Sequence, residues 1–294
     1  MTDIKRVGVL GCGLMGSGIA QVAATAGYDT TVRDVSQQVW DKARPAIEKS
    51  LAKFVEKGKL PAADRDAALK RLRFTTTTAD LTQCDVVVEA VTEDLDVKNA
   101  LWRELDGLCG PATIFASNTS SLTIAAMAAA TKRGDRFVGL HFFNPVPLMP
   151  LVEVVRTVTT SQATFQRAFA FAGSLGKEPV AAKDTSGFIV NLLLVPYLLD
   201  AIRAVERGVG SVPDIDKAMQ LGCGYPMGPF TLLDFVGLDT TYYITHVMHE
   251  EYQEKRFASP PLLRKMVLAG RFGCKSGAGF YDYSGEKPVA FDRS

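Results

Sequence analysis

The sequence predicts an α/β fold in which a doubly wound, mostly parallel β-sheet carries a helical insertion and is followed by an all-α domain. Short β-branched runs alternate with helical stretches through the first half of the chain, which is typical of a parallel sheet covered on both faces. The uninterrupted run Val86–Val88 indicates a strand buried on both faces, because a half-exposed strand would alternate. From about Ser186 the apolar residues follow a helical period, so we place two domains at residues 1–185 and 186–294.

Seven β-branched runs are predicted as strands, and four helices are predicted after the domain boundary. The strands are Arg6–Leu10, Thr30–Arg33, Asp85–Val91, Thr113–Ala116, Phe137–Phe143, Leu151–Arg156 and Pro179–Ala182. The later helices are Phe188–Val205, Pro213–Leu221, Pro229–Phe235 and Leu238–Lys255.

A long insertion, at about residues 36–72, separates the second and third predicted strands. Pro45 within it predicts a kink or a late helix start. Leu60-Pro61 opens a second, short helix that we expect to end near Leu72. Two roles stay open for this pair of helices, namely covering a substrate and serving as an extra packing element. The first helix is predicted from apolar residues that recur every four positions, at Val39, Ala43, Ile47, Leu51 and Val55.

Composition excludes several classes of protein. The chain has 294 residues, of which 47% are hydrophobic, so it can bury a sizeable core and does not have the composition of a disordered protein. Its 33 Lys and Arg residues nearly balance 32 Asp and Glu residues, giving a net charge of +1. This balance gives no electrostatic footprint for nucleic acid or a membrane surface, so we predict neither as a partner.

No targeting peptide or membrane span is predicted. The uncharged stretch Thr185–Leu199 is broken by Asn191 and Pro196 and is shorter than the roughly 20 residues that a span needs. The longer stretch Gly107–Thr131 contains a proline and a polar cluster that hydrocarbon would not tolerate. We therefore expect a cytoplasmic protein in a reducing compartment, with neither a disulfide framework nor a metal site. The five cysteines are widely scattered, at Cys12, Cys84, Cys109, Cys223 and Cys274.

A glycine motif predicts a dinucleotide site of the Rossmann type. The first strand runs into G-x-G-x-x-G and then a helix, whose N-terminus would face the phosphates. The next strand ends at Asp34, 18 residues after Gly16, where a carboxylate can bind the ribose 2′-hydroxyl. That carboxylate favours NAD over NADP, although Arg33 beside it favours the phosphorylated cofactor. The residues assigned to the cofactor here are Gly11, Gly13, Leu14, Met15, Gly16 and Asp34.

His141 is the candidate proton-transfer residue, because it ends a strand directly before a proline-rich loop. If the strands on both sides of this loop pair antiparallel about Pro147, residues whose numbers sum to 294 face each other, and His141 then faces Glu153. A carboxylate there would orient the imidazole and stabilise the imidazolium. The other two histidines, His246 and His249, are interpreted as a solvated helix face.

A polar segment and a single asparagine are further candidates for the site. Ser117–Ser121 follows a predicted strand, at the edge where open α/β sheets bind ligands, and Ser121 could cap the next helix. Asn191 lies within an apolar helix, where an unpaired buried amide would cost about 1–3 kcal/mol. We therefore expect it to reach a partner.

With these stretches in view, the chain resembles the L-3-hydroxyacyl-CoA dehydrogenase family, most closely its short bacterial 3-hydroxybutyryl-CoA members. The resemblance spans nearly the whole chain. The matching stretches are G-C-G-L-M-G-S-G-I-A-Q at Gly11–Gln21, F-A-S-N-T-S-S-L at Phe115–Leu122, G-L-H-F-F-N-P-V-P at Gly139–Pro147, K-D-T-S-G-F-I-V-N at Lys183–Asn191 and G-Y-P-M-G-P-F at Gly224–Phe230.

The resemblance implies roles for particular residues. His141 would be the general base with Glu153 as its charge partner, and Ser120 and Asn191 would hold the reacting oxygen and the thioester. The second domain would form a homodimer. The resemblance further implies contacts with NAD at Glu93, Lys98, Ser120, Asn144 and Lys275, and with the acyl-CoA substrate at Ser50, Lys57, Ser120 and Asn191; a solvated face is the alternative for Lys53 and Lys57.

The sequence therefore predicts reversible NAD-dependent oxidation of an L-3-hydroxyacyl-CoA, with 3-hydroxybutyryl-CoA as the expected substrate, an activity of fatty acid and butanoate metabolism. One alternative is an NAD-dependent dehydrogenase of a free hydroxy acid on the same scaffold. The other is a noncatalytic nucleotide-binding module, which would have no need of an acid–base pair.

Overall fold

The computed structural model describes residues 3–291 and divides after Phe188 into two compact units. The predicted domain boundary after residue 185 lies three residues earlier in the chain. Among residues 3–291, no helix combines the length and the apolar character that a membrane crossing requires.

The first unit is built on one eight-stranded sheet with the strand order 3-2-1-4-5-6-7-8. All neighbouring strands are parallel except the sixth and seventh, which pair antiparallel. The predicted mostly parallel sheet is therefore confirmed. The strands are β1 (Arg6–Leu10), β2 (Asp29–Arg33), β3 (Leu72–Thr75), β4 (Val86–Glu89), β5 (Ile114–Ser117), β6 (Phe137–Phe142), β7 (Leu151–Arg156) and β8 (Glu178–Lys183).

Six α-helices cover this sheet, and their apolar sides form its core. Trp102 of α4, for example, is fully buried and stacks on Phe115 of β5, with ring centroids 4.9 Å apart. The helices are α1 (Leu14–Thr25), α2 (Gln37–Glu56), α3 (Ala62–Arg71), α4 (Leu95–Leu108), α5 (Ile124–Ala128) and α6 (Gln162–Ser174).

The insertion differs from its predicted form in two ways. The first helix, α2, begins at Gln37 and runs through Pro45, so the expected late start is wrong. The short strand β3, which was not predicted, follows α3 without an intervening turn and pairs parallel with β2. The two helices are therefore the crossover between neighbouring strands, and their long connection places α2 beside the loop that follows β6.

The second unit is mostly helical, with a core of its own and two buried carboxylates. Asp216 accepts hydrogen bonds from the N–H groups of Phe230 (2.7 Å) and Thr231 (3.0 Å), which caps a helix start. Asp234 accepts the N–H of Phe280 at 2.8 Å. The elements are α7 (Val190–Glu206), α8 (Val212–Cys223), α9 (Pro229–Val236), α10 (Leu238–Tyr252), α11 (Pro261–Leu268), β9 (Tyr281–Asp282) and β10 (Val289–Ala290).

Candidate active site

The glycine motif forms an open turn between β1 and α1. Gly11 has φ +88°, a conformation that side chains other than hydrogen disfavour, and a Cβ at Gly16 would lie 1.9 Å from the Gly11 carbonyl oxygen. At Gly13, by contrast, a Cβ would meet nothing within 4 Å, so the backbone there is open to a ligand. Helix α1 has no side-chain cap, which leaves its first N–H groups available to an anion.

Asp34 lies beside this turn, at the end of β2. Its Oδ2 accepts the N–H of Cys12 at 2.5 Å and its Oδ1 accepts the N–H of Val35 at 2.6 Å, which fixes the carboxylate next to the glycine turn. Neighbouring Arg33 has a buried Nε without a hydrogen-bond partner among the described residues. The open turn, the uncapped helix and the adjacent carboxylate together fit the pyrophosphate and ribose of NAD.

A buried ionic network lies at the carboxyl end of β4. Glu89, which is inaccessible to solvent, accepts hydrogen bonds from Lys98 Nζ and Ser117 Oγ, each at 2.6 Å. Lys98 is 1% exposed and also lies 3.2 Å from Glu93 Oε2. Lys98 therefore holds together two carboxylates, one inside the sheet and one at its edge.

Glu93 in turn organises the loop after β5. Its Oε1 accepts hydrogen bonds from the Thr119 hydroxyl, from the Ser120 N–H at 3.2 Å and from the Ser121 hydroxyl at 3.1 Å. Burial by itself would raise the pKa of Glu93, but the Lys98 charge and these hydrogen bonds outweigh it and hold the pKa below its ordinary value. Glu93 is therefore a fixed anion that positions the backbone of Ser120.

His141 and Glu153 face each other across the antiparallel pair β6–β7, the register expected from the sequence. His141 Nδ1 lies 2.6 Å from Glu153 Oε2, and the two residues are 5% and 1% exposed. The imidazole also contacts the rings of Phe143 and Phe188, with centroids 4.5 and 5.5 Å away. Because Nδ1 is engaged with the carboxylate, Nε2 is the ring nitrogen left for proton exchange.

The serine loop and the histidine strand are linked by Asn118, whose Oδ1 accepts the N–H of Phe142 at 3.0 Å. The loop after β6 contains the exposed Asn144, which forms a cis peptide with Pro145. This loop also packs on α1, because a Cβ at Gly18 would lie 2.8 Å from Val146 Cβ. The cofactor helix, the serine loop and the strand of His141 are thus fixed to one scaffold.

Helix α2 and the loop after β6 enclose a cavity of about 400 Å³, which we call the basic groove. Ser50 and Lys57, the predicted coenzyme A contacts, both line it, together with the apolar Pro145 and Leu148. Its cationic side chains come from one helix and the turn that follows, at Lys49, Lys53, Lys57 and Lys59. The groove can bind a polyanion that carries an apolar chain.

Two predicted site residues belong to the second unit. Asn191 is partly buried in the first turn of α7. Lys275 lies in a 3₁₀ turn, and its Nζ donates a hydrogen bond to Asp239 Oδ2 at 2.7 Å.

Two polar residues that shape this site, Glu89 and Asn118, were not singled out from the sequence. Glu89 could have been identified from the sequence, because this carboxylate directly follows the apolar residues of a buried strand. Lys98 was assigned by resemblance alone, although it shares a buried helix face with Trp102 and Leu105. Asn118 lies between hydroxyl residues, and no pattern in the sequence distinguishes it from them.

Comparisons with known proteins agree with this arrangement. A family model described as the NAD binding domain of 3-hydroxyacyl-CoA dehydrogenase matches residues 6–185, and the model of that enzyme's C-terminal domain matches residues 187–283. Mitochondrial hydroxyacyl-coenzyme A dehydrogenase from Homo sapiens is 52% identical over 287 residues, which cover 95% of this chain and 91% of that protein.

Bacterial proteins are similar to the same extent. A 3-hydroxybutyryl-CoA dehydrogenase from Mycobacterium tuberculosis is 51% identical over 286 residues, covering 96% of this chain and all of that one. The crystal structure of M. tuberculosis FadB2 superposes with a TM-score of 0.93 at 51% identity, covering 96% of this chain and 99% of that one. The predicted family, enzyme class and cofactor, NAD, are therefore confirmed, and the chain belongs to the 3-hydroxyacyl-CoA dehydrogenase family of oxidoreductases.

Proposed function

We propose that this chain reversibly oxidises L-3-hydroxyacyl-CoA thioesters to 3-ketoacyl-CoA with NAD, and that its substrate is the short-chain 3-hydroxybutyryl-CoA. The observation that carries the proposal is the buried contact of 2.6 Å between His141 Nδ1 and Glu153 Oε2 beside a dinucleotide cradle. The name of the mycobacterial relative supports the short acyl chain.

In this proposal His141 Nε2 takes the proton of the substrate 3-hydroxyl. Glu153 keeps the imidazole in the tautomer that leaves Nε2 unprotonated, and then stabilises the imidazolium. Bound NAD would supply the acceptor for the hydride that leaves C3, the carbon that carries this hydroxyl. In the reverse direction His141 returns the proton to the carbonyl oxygen, so one residue serves as base and as acid.

The remaining predicted residues have positioning roles in this proposal. Gly11, Gly13, Leu14, Met15 and Gly16 hold the pyrophosphate, and Asp34 holds the ribose. Glu93, Lys98, Asn144 and Lys275 contact the cofactor, whereas Ser120 and Asn191 hold the reacting oxygen.

The basic groove supports a coenzyme A thioester over a free hydroxy acid. Coenzyme A carries several phosphate charges on a long chain, and the groove offers four lysines beside Pro145, Pro147 and Leu148. We assign Ser50 and Lys57 to this part of the substrate. A free hydroxy acid is the alternative substrate, and it would leave these four lysines without a partner.

We also propose that the second unit forms a homodimer and that the protein acts in the cytoplasm. The second unit exposes large apolar side chains, including Leu193 (67% exposed) and Leu221 (77% exposed), which suit a contact with a second copy. Light scattering after size-exclusion chromatography tests the dimer. Leu221→Glu should give monomers, and a monomeric wild type would contradict the proposal.

The enzymatic proposal is tested by following the oxidation of NADH with acetoacetyl-CoA, with NADPH and free acetoacetate in parallel. We expect turnover of the thioester with NADH, little turnover with NADPH and none with the free acid. His141→Gln should lose most of its turnover while NADH still binds. Turnover by His141→Gln at the wild-type rate would remove the acid–base assignment, and efficient reduction of free acetoacetate would favour the hydroxy acid enzyme.

A further inference from the structure

A second cavity lies next to the basic groove, and nothing in the proposed reaction uses it. It has a volume of about 480 Å³ and lies between α1, α2 and the segment that follows α6. We call it the α1–α6 cavity. Phe54, Lys59 and Pro147 line both spaces and form the wall between them.

The α1–α6 cavity contains a buried cation, Lys177, which is 8% exposed. Its Nζ donates to the carbonyl oxygens of Val146 and of Met149, the latter at 2.8 Å, and one of its three N–H donors is left over. Within residues 3–291 it has no carboxylate partner. A buried ammonium without a counter-charge is costly, and burial accordingly lowers its pKa.

Gln21 adds a second polar group that is buried in the same cavity wall. It is 4% exposed, lines the cavity from α1, and its side-chain amide forms no hydrogen bond with any residue of the described chain. Lys177 and Gln21 thus offer unused donors to the same cavity.

The rest of the lining combines apolar side chains with the polar Thr25, Lys59 and Ser174. Val22, Leu51, Leu60 and Leu175 contribute side chains, and no aspartate or glutamate among the described residues lines the cavity. A ligand that fits has one anionic end for the donors and an apolar body for these side chains. A phosphate group alone would leave the apolar surface uncovered.

We propose that the α1–α6 cavity binds a short-chain monocarboxylate, whose carboxylate accepts hydrogen bonds from Lys177 and Gln21 and whose alkyl chain packs on the leucines. This site is separate from the basic groove, because only the dividing wall is common to both. It also touches the loop after β6, since Lys177 donates to two carbonyl groups of that loop.

The test is a calorimetric titration of the full-length protein with hexanoate at saturating coenzyme A, so that the basic groove is filled. We expect saturable binding, weakened at least about tenfold by Gln21→Leu, which removes the amide at similar volume. Lys177→Met should weaken it likewise. The exposed Lys132 lies outside both linings, so Lys132→Gln is the matched control and should bind as the wild type does.

Four results would overturn the proposal. They are no saturable binding at millimolar hexanoate, loss of binding when coenzyme A is added, unchanged binding in Gln21→Leu, and equal binding of 1-hexanol. If Lys177→Met does not fold, as judged by circular dichroism, Gln21→Leu decides the question. Because turnover of acetoacetyl-CoA is measured separately, failure here leaves the proposed reaction standing.

Discussion

Lys98 and Glu89 form a fully buried ion pair, with Nζ and Oε1 2.6 Å apart, although one comes from a helix and the other from the end of a strand. Removing one partner of such a pair leaves an uncompensated charge and costs about 3–5 kcal/mol. We therefore expect Lys98→Met to lower the free energy of unfolding by about 3 kcal/mol or more in urea denaturation. The double variant with Glu89→Gln should regain part of that loss. A double variant no more stable than the single one would contradict the ion-pair account.

We expect Glu153 to contribute to kcat but not to the binding of acetoacetyl-CoA. Glu153→Gln keeps the shape of the side chain but removes the charge that stabilises the imidazolium of His141, so kcat should fall about 10²–10⁴-fold. The KM for acetoacetyl-CoA should change little. The exposed Glu178 on β8 provides a matched control, since Glu178→Gln should leave kcat unchanged. A kcat within twofold of the wild type, by steady-state kinetics, would argue against the role of Glu153.

Asp34 is expected to determine the preference for NADH over NADPH. Replacing it with serine removes the negative charge that repels a 2′-phosphate and leaves Arg33 next to the site. The ratio of kcat/KM for NADH to that for NADPH should fall about tenfold or more. Asp29→Ser, at the exposed start of the same strand, is the control and should leave the ratio unchanged. An unaltered ratio in Asp34→Ser would show that specificity is determined elsewhere.

We expect the lysines of the basic groove to bind the coenzyme A thioester through their positive charge. We expect the double variant Lys53→Gln/Lys57→Gln to raise the KM for acetoacetyl-CoA several-fold while kcat and the KM for NADH stay as they are. Added salt should raise the same KM in the wild type, because exposed charges are screened, and less so in the variant. Lys132→Gln serves again as the control. Equal salt dependence in both proteins would contradict binding of the thioester in this groove.

Asp106 makes a contribution to stability that depends on pH. Burial would raise its pKa, but hydrogen bonds from the Lys132 N–H and from Arg133, with the Arg133 charge, hold the pKa below its usual value. Its contribution is therefore complete above the unfolded-state pKa and is lost as the pH falls through the lower pKa of the folded state. Asp106→Asn should cost about 2 kcal/mol in unfolding free energy at pH 7.

The same comparison at acid pH gives the control. The difference in unfolding free energy between wild type and Asp106→Asn should shrink as the pH falls below the ordinary value of 3.8. Urea denaturation at several pH values measures it. A difference that grew toward acid pH would reverse the expected sign.

The pairing of His141 with Glu153 was accessible from sequence because a short loop between two clear strands leaves few choices of register. The strand β3 was not, since Leu72 continues the apolar spacing of the helix before it and no turn residue separates the two elements. Lys98 and Lys177 were not interpreted as buried from sequence. Charged side chains enter a protein core only where specific partners meet them, and the local sequence pattern does not show that Glu89 meets Lys98 or that the Met149 carbonyl meets Lys177.

At Gly18 the helix α1, whose first turn is proposed to bind NAD, touches the loop whose prolines line the basic groove. A Cβ at this position would lie 2.8 Å from Val146 Cβ, closer than two carbon atoms can approach without a shift. Only a hydrogen atom fits at the Cβ position of Gly18. The close contact of α1 with this loop therefore sets the spacing between the region proposed for NAD and the region proposed for coenzyme A. Even one added methyl group would displace one of the two regions relative to the other.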